Sequence, residues 1–138
     1  MPALFNFEVH TPYRRFYDGK AQVITLSLID GEIGIYARHS PFIAVTATGI
    51  LRIKDPAGKW LSAFVSGGIL EVKEYKNVLL VNAAEWPEEI NRERALADKK
   101  RAEENLSKQI SEYEIEREKD DINRANFRLK VLELQNSA

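Results

Sequence analysis

Apolar and polar residues alternate through the first 84 or so positions of the chain, with the period of two that marks half-buried strands. Phe5, Phe7 and Val9 fall on one face of such a strand, and Asn6, Glu8 and His10 on the other. Further short runs follow at Ala21 to Ile29, Gly49 to Lys54, Lys59 to Ser66, Ile69 to Glu74 and Asn77 to Asn82. Between them lie Asp18-Gly19, Asp30-Gly31, Asp55-Pro56-Ala57-Gly58 and Glu74-Tyr75-Lys76-Asn77, which read as turns because Gly and Asn accept positive φ and Pro presets φ. Short strands at close spacing predict a sandwich or barrel. No helix pattern follows Gly67-Gly68, inside the apolar run Phe64 to Leu70, which favours a bulge or strand break with close backbone approach over a phosphate loop.

The period changes at Trp86-Pro87-Glu88-Glu89. Pro87 suits the first turn of a helix, where its missing N–H has no partner to lose, and the two glutamates suit the positive end of the helix dipole. From there to Ala138 the chain has no further Pro and no Gly and is dense in Ala, Glu, Lys, Arg and Leu. Ala95, Ala102, Leu106 and Ile110 make one stripe at helical spacing, and Ile115, Ile122, Ala125, Leu129 and Leu132 a second. One unbroken helix would span roughly 78 Å, out of proportion to the β half, so an antiparallel hairpin is the economical arrangement. Ser111 with Glu114 matches a capping box and places the second helix near that serine. With no Gly or Pro at the turn, an extended form violates no local preference, and the sequence permits two conformations close in free energy. Phe127, Val131 and Leu134 lie nearly opposite the second stripe. They form either a broad apolar face in a tight hairpin or a second side that meets a partner.

Composition narrows the function. The 138 residues are enough for one compact domain, or a small one with an appended element, which places a β-sandwich domain at 1–85 and a helical hairpin at 86–138. A net charge of -1, from 20 Lys+Arg against 21 Asp+Glu, supplies no field for binding nucleic acid or an anionic membrane. The absence of Cys removes disulfides, thiolate metal sites and thiol nucleophiles together. No apolar run reaches the roughly 18 residues of a membrane span, and the start MPALFNFEVH lacks a secretory signal, so direct membrane insertion is not expected. His10 and His39 are the only imidazoles, which leaves little for a histidine-based active site. His39 adjoins Ser40, but neighbours on an extended segment point to opposite faces and no motif supplies an acid or an oxyanion hole.

Four stretches, in order, resemble the epsilon subunit family of F-type ATP synthases: Asp30-Gly-Glu-Ile-Gly-Ile-Tyr36 with His39-Ser-Pro41, Gly49-Ile-Leu-Arg-Ile53, Val65-Ser-Gly-Gly-Ile-Leu-Glu-Val72, and Ala84-Glu-Trp-Pro-Glu-Glu-Ile-Asn-Arg-Glu-Arg-Ala95. The resemblance covers nearly the whole chain. It implies a flattened sandwich of about ten strands followed by a C-terminal antiparallel helical hairpin, an α+β arrangement with the two kinds segregated. It also implies a non-catalytic role at the foot of the central stalk. There the sandwich is bound to the gamma subunit and the ring of c subunits, peripheral to the cytoplasmic side of the bacterial plasma membrane. The resemblance further implies that the hairpin either stays folded against the sandwich or extends into the alpha/beta catalytic head, where it inhibits ATP hydrolysis. The segment from Gly31 to His39 matches the one that faces the c ring, which makes Glu32 and His39 the implied contacts. Arg38 stands where the family usually has Gly.

Some family members bind ATP at a motif Ile/Leu-Asp-x-x-Arg-Ala. Here the motif reads Ile90-Asn91-Arg92-Glu93-Arg94-Ala95, and two further arginines match Arg124 and Arg128. The resemblance thus implies Ile90, Asn91, Arg94, Ala95, Arg124 and Arg128 as a nucleotide site. Asn91 weakens it by the charge assistance that an Asp would give, so no cofactor is required and any regulatory ATP is weakly held. The competing reading is a small ligand-binding sandwich that dimerises through its helices, allowed by the heptad-like spacing of Ile115, Ile122 and Leu129.

Overall fold

The computed structural model describes residues 2–136, and the chain divides into two compact units, Met1–Glu85 and Trp86–Ala138. The first is built of ten strands: β1 (Phe5–His10), β2 (Arg15–Ala21), β3 (Val23–Leu28), β4 (Gly31–Tyr36), β5 (Phe42–Thr46), β6 (Gly49–Lys54), β7 (Trp60–Val65), β8 (Gly68–Val72), β9 (Lys76–Val81) and β10 (Ala84–Glu85). The sandwich expected from the sequence is therefore borne out, with the strand number that the resemblance implied.

The strands form one continuous sheet that curls into two halves. One runs β4-β3-β6-β7-β10 and the other β5-β8-β9-β1-β2. They join where β3 shares one edge, with β6 beside Val23 to Thr25 and β5 beside Leu28, paired to Thr46. All pairings are antiparallel except that of β1 with β9. The inward parity of each strand fills the core: Phe7 and Val9, Ile24 and Leu26, Ile35, Leu51 and Ile53, Leu70 and Leu79 are fully or almost fully buried. Burying such a side chain stabilises the fold by about 1.5–3 kcal/mol.

The strand joints follow local chemistry. Asp55 Oδ1 accepts hydrogen bonds from the N–H groups of Ala57 (3.0 Å) and Lys59 (2.8 Å), and Gly58 takes φ 88 to complete the β6–β7 turn. Gly67-Gly68 is the close approach that the sequence foretold, since a Cβ on Gly67 would lie 2.9 Å from the Thr46 carbonyl and one on Gly68 would collide with that of Leu80. Thr46 and Thr48 hydroxyls accept the Gly68 and Gly67 N–H groups at 2.9 and 3.2 Å, so the break leaves neither donor unpaired.

Asp18-Gly19 is not a turn. Both residues lie inside β2, paired with Glu8 and Phe7, and the chain reverses instead at Thr11–Arg14, where the Thr11 hydroxyl accepts from the N–H groups of Tyr13 and Arg14. Gly19 fits the strand because the Tyr17 ring lies over it, its hydroxyl donating to the Lys20 carbonyl at 2.9 Å.

The second unit differs from expectation at its start. Pro87–Glu89 forms a single 3-10 turn, closed by Glu89 Oε1 accepting from the Trp86 N–H at 2.9 Å. The first helix, α1, begins later, at Arg92, and runs to Leu106. After a turn over 107–111, α2 spans Glu112–Asn136. Ser111 starts it as the capping pattern predicted, its hydroxyl accepting from the Glu114 N–H at 3.2 Å. The turn contains no special backbone conformation: Ser107 is right-handed helical, and its hydroxyl donates back to the Glu104 carbonyl at 2.6 Å. Asn105 Nδ2 bridges to Glu118 Oε1 across the hairpin (3.3 Å), and buried Ala95, Ala102 and Ala125 let the helices approach closely. Val131 is fully buried and Phe127 and Leu134 are half-buried, so the stripe opposite Ile115 to Leu132 is not a bare face in this conformation.

Candidate functional site

The outer face of the half β5-β8-β9-β1 carries a row of apolar side chains in direct register, Val45 opposite Ile69 and Ile69 opposite Leu80, with His10 beyond Leu80 on β1. Val45, Ile69 and Leu80 are 55%, 47% and 50% exposed, and Ile43, two residues back along β5, is 69% exposed. A hollow of about 350 Å³ beside the row is lined by Pro12, Gly68, Ile69, Leu80 and Val81 among others. Ion pairs border it: Glu8 holds Lys76 and, at 2.9 Å, His10, while Glu71 holds Lys73 at 2.8 Å. Lys76, and then His10, hold the Glu8 carboxyl below its ordinary value. An apolar centre with a charged rim is the form of a protein-docking surface.

None of these apolar residues was singled out from the sequence, though a signal was present. Phe42-Ile43-Ala44-Val45, Ile69-Leu70 and Val78-Leu79-Leu80-Val81 are apolar at both parities, as strands covered on two sides are.

The residues implied as c-ring contacts are separated. Gly31 to Tyr36 is a strand rather than a loop, so Glu32, near its start, and His39, beyond its end, are divided by roughly 14 Å of strand. Both are exposed. The His39 ring packs on Phe42 with centroids 5.0 Å apart, and its Nδ1 lies 2.8 Å from the Ser40 carbonyl. Arg38 has φ 64, the left-handed region, which explains why glycine suits this position. The conformation costs a non-glycine residue about 1–2 kcal/mol, of which glycine's greater freedom when unfolded returns about 0.5–1. Arg38→Gly is therefore expected to stabilise the sandwich by about 0.5 kcal/mol, a small rise in Tm measurable by thermal denaturation. A fall in Tm would show that the Arg38 side chain makes good the backbone cost.

The implied nucleotide residues take structural positions around α1. Asn91 is its N-cap, with Oδ1 accepting from the Arg94 N–H at 3.0 Å, and Ile90 closes the preceding 3-10 turn. Ala95 is buried, Arg94 and Arg124 are exposed, and Arg128 is half-buried one turn beyond Arg124 on α2. The 3-10 turn before the motif lies against α2. Asn91→Ala removes the cap and is expected to cost the helical unit about 1 kcal/mol, read as a lower denaturation midpoint, whereas Asn91→Asp should preserve it. An unchanged midpoint in the alanine variant would mean that the cap bond contributes nothing.

Among the described residues there is no group of three His, Asp or Glu side chains that could hold a metal ion, and no helix is long and apolar enough to cross a membrane.

Residues 4–87 match the family model of the beta-sandwich domain of the ATP synthase delta/epsilon chain, and residues 88–133 match that of its long alpha-helix domain. The ATP synthase epsilon chain of Caldicellulosiruptor saccharolyticus is 47% identical over 131 residues, 95% of this chain and 95% of that one. That of Ruminiclostridium cellulolyticum is 42% identical over 129 residues, 94% and 96% of the two chains. The chain belongs to the delta/epsilon family of ATP synthase chains and, within it, to the epsilon chains. A chain of the Euglena gracilis mitochondrial ATP synthase, solved by cryo-EM with its c-ring, shares the fold at a TM-score of 0.71 and 21% identity, covering 99% of this chain and 82% of that chain. One from the Tetrahymena thermophila central stalk and c-ring gives 0.62 at 17% identity, covering 93% and 96%.

Proposed function

We propose that this chain is a non-catalytic subunit of the central stalk of a bacterial F-type ATP synthase, on the cytoplasmic side of the plasma membrane. Its sandwich docks on the gamma subunit and on the c ring, and its helical unit restrains ATP hydrolysis by extending into the alpha/beta head. The observation that carries this reading is the apolar row Ile43, Val45, Ile69 and Leu80, which an isolated chain leaves in water and a docked one removes from it. Glu32, at the tip of the β3–β4 hairpin, and His39, at the far end of β4, are the proposed c-ring contacts, acting at separate points. The helical unit supports a regulatory role through its turn over 107–111, whose lack of Gly or Pro leaves an extended helix without local penalty.

Mixing the purified chain with gamma subunit and following the mixture by size exclusion with light scattering tests the reading. A monomer alone and a one-to-one complex with gamma is the expected result. An obligate homodimer indifferent to gamma would instead favour the ligand-binding module that dimerises through its helices.

ATP, in this proposal, is a weak regulator held by Arg94, Arg124 and Arg128. The Oδ1 of Asn91 is committed to the helix cap and brings no charge, which supports weak binding. Calorimetry on the full chain is expected to give a dissociation constant in the high micromolar to millimolar range, roughly 4–6 kcal/mol. No heat at millimolar ATP would remove the nucleotide site, and tight binding would remove the argument from Asn91.

A further inference from the structure

One end of the sandwich holds a second cleft, of about 860 Å³, that shares no lining residue with the hollow beside the apolar row. Its walls come from four places in the fold: the start of β1, the end of β2 at Lys20, the 37–41 loop that follows β4, and the turn before β9 with Glu74 and Tyr75. The volume lies in the range of small-molecule sites.

Charge accounting sets this cleft apart. Elsewhere in the sandwich Arg15, Lys73 and Lys76 are each held by a carboxylate, and Arg52 and Lys54 lie over the Trp60 ring. Lys20, Arg38 and Lys59 have no side-chain partner of either kind among the described residues; Lys59 lies exposed in the β6–β7 turn, whereas Lys20 and Arg38 line this one cleft. One carboxylate, Glu74, stands on the rim against these two cations. A carbonyl only accepts, so the contact of His39 Nδ1 with the Ser40 oxygen places a proton on Nδ1, and Nε2 has no partner among the described residues. Arg38 is held in a left-handed backbone conformation that glycine would adopt without cost, and such strain persists where the surrounding structure fixes the residue.

We propose that the cleft binds a phosphate group, carried either by a free small molecule or by a lipid headgroup. The planar guanidinium of Arg38 supplies paired donors for two phosphate oxygens, Lys20 adds a point charge from the end of β2, and the Ser40 hydroxyl and His39 ring complete a polar wall. The site shares no residue with the nucleotide set or the docking row, and it includes His39, which the proposed function also assigns to the c ring.

The test uses the full chain. Inorganic phosphate is titrated at constant ionic strength, with chloride as the control, and backbone amide shifts are followed by NMR. Saturable shifts at Arg38, His39, Ser40 and Tyr75 are expected with phosphate and not with chloride. Lys20→Gln and Arg38→Gly should each weaken binding about ten-fold, while Arg38→Lys should keep part of it. Arg38→Gly is the more stable fold on the reasoning above, so its loss of binding is not a loss of structure. In parallel, sedimentation with phosphatidylglycerol vesicles, and with phosphatidylcholine vesicles as control, separates the two sources. Binding to the anionic vesicles that both variants lose assigns the phosphate to a lipid, and phosphate shifts without vesicle binding assign it to a small molecule. Equal responses to chloride and phosphate, or variants that bind as the parent does, overturn the proposal.

Discussion

Ile69→Lys is expected to weaken binding to the gamma subunit by about two orders of magnitude while leaving the sandwich folded. Ile69 sits at the centre of the apolar row, with Val45 and Leu80 directly opposite it on either side. Covering a large aliphatic side chain is worth about 1.5–3 kcal/mol, and a lysine in its place must either lose its water or hold the partner away. The combined loss of about 3 kcal/mol corresponds to roughly a hundred-fold in affinity. Stability should change little, because the residue is half in water already and lysine keeps the strand's hydrogen bonds. Tyr36→Lys, at a more exposed position in the other half of the sandwich, is the control and should bind as the parent does. Titration of labelled gamma with each variant reads the result. A parent-like affinity for the Ile69 variant would remove the row from the docking surface.

Gly68→Ala should destabilise the sandwich by about 3 kcal/mol, the largest effect expected of any single methyl group in this unit. The obstacle is the Leu80 carbonyl on the neighbouring strand, which is backbone and cannot rotate aside, so β8 and β9 must separate for the new atom to fit. The Gly68 N–H bond to the Thr46 hydroxyl would be strained in the same movement, disturbing a nearly buried threonine. A domain of this size responds by about 4–8 °C per kcal/mol, so Tm should fall by roughly 15 °C. Gly34→Ala provides the comparison. Its Cβ would meet nothing closer than 3.9 Å, and it should shift Tm by a degree or two at most. Similar losses in the two variants would mean that β8 and β9 are not held as closely as described.

How much of this was legible varied with how many faces of a strand are covered. β1 and β6 have one buried and one wetter face, and their alternation gave their inward residues directly. β2 is an edge strand whose glycine lies under its own Tyr17 ring, so a turn-like dipeptide was accommodated in regular pairing. At β5, β8 and β9 the outer face is apolar as well, and a period of two says nothing about which side is inward. That ambiguity falls on the row proposed as the docking surface, which the pattern of this chain alone does not mark as a site. Asn91 was legible as part of a motif but equally as a cap, and the structure places its oxygen on the Arg94 N–H. Pro87 was read as opening a helix, yet a proline followed by two glutamates starts a 3-10 turn equally well, and the cap four residues later decides where α1 begins. The backbone at Arg38 could not be read from its own side chain, since nothing about arginine signals positive φ.

The parallel pairing of β1 with β9 places Asn6 beside Lys76, across almost the whole length of the sandwich segment. During synthesis β1 leaves the ribosome first and waits for the strand that will flank it, so the half containing β5, β8 and β9 cannot close until Val81 has emerged. Through that interval its strands are sticky on both sides, with Glu71, Lys73 and Lys76 the charges nearest to hand to discourage neighbouring nascent chains from joining. The helices, by contrast, assemble from contacts between adjacent stretches of chain and need no such delay.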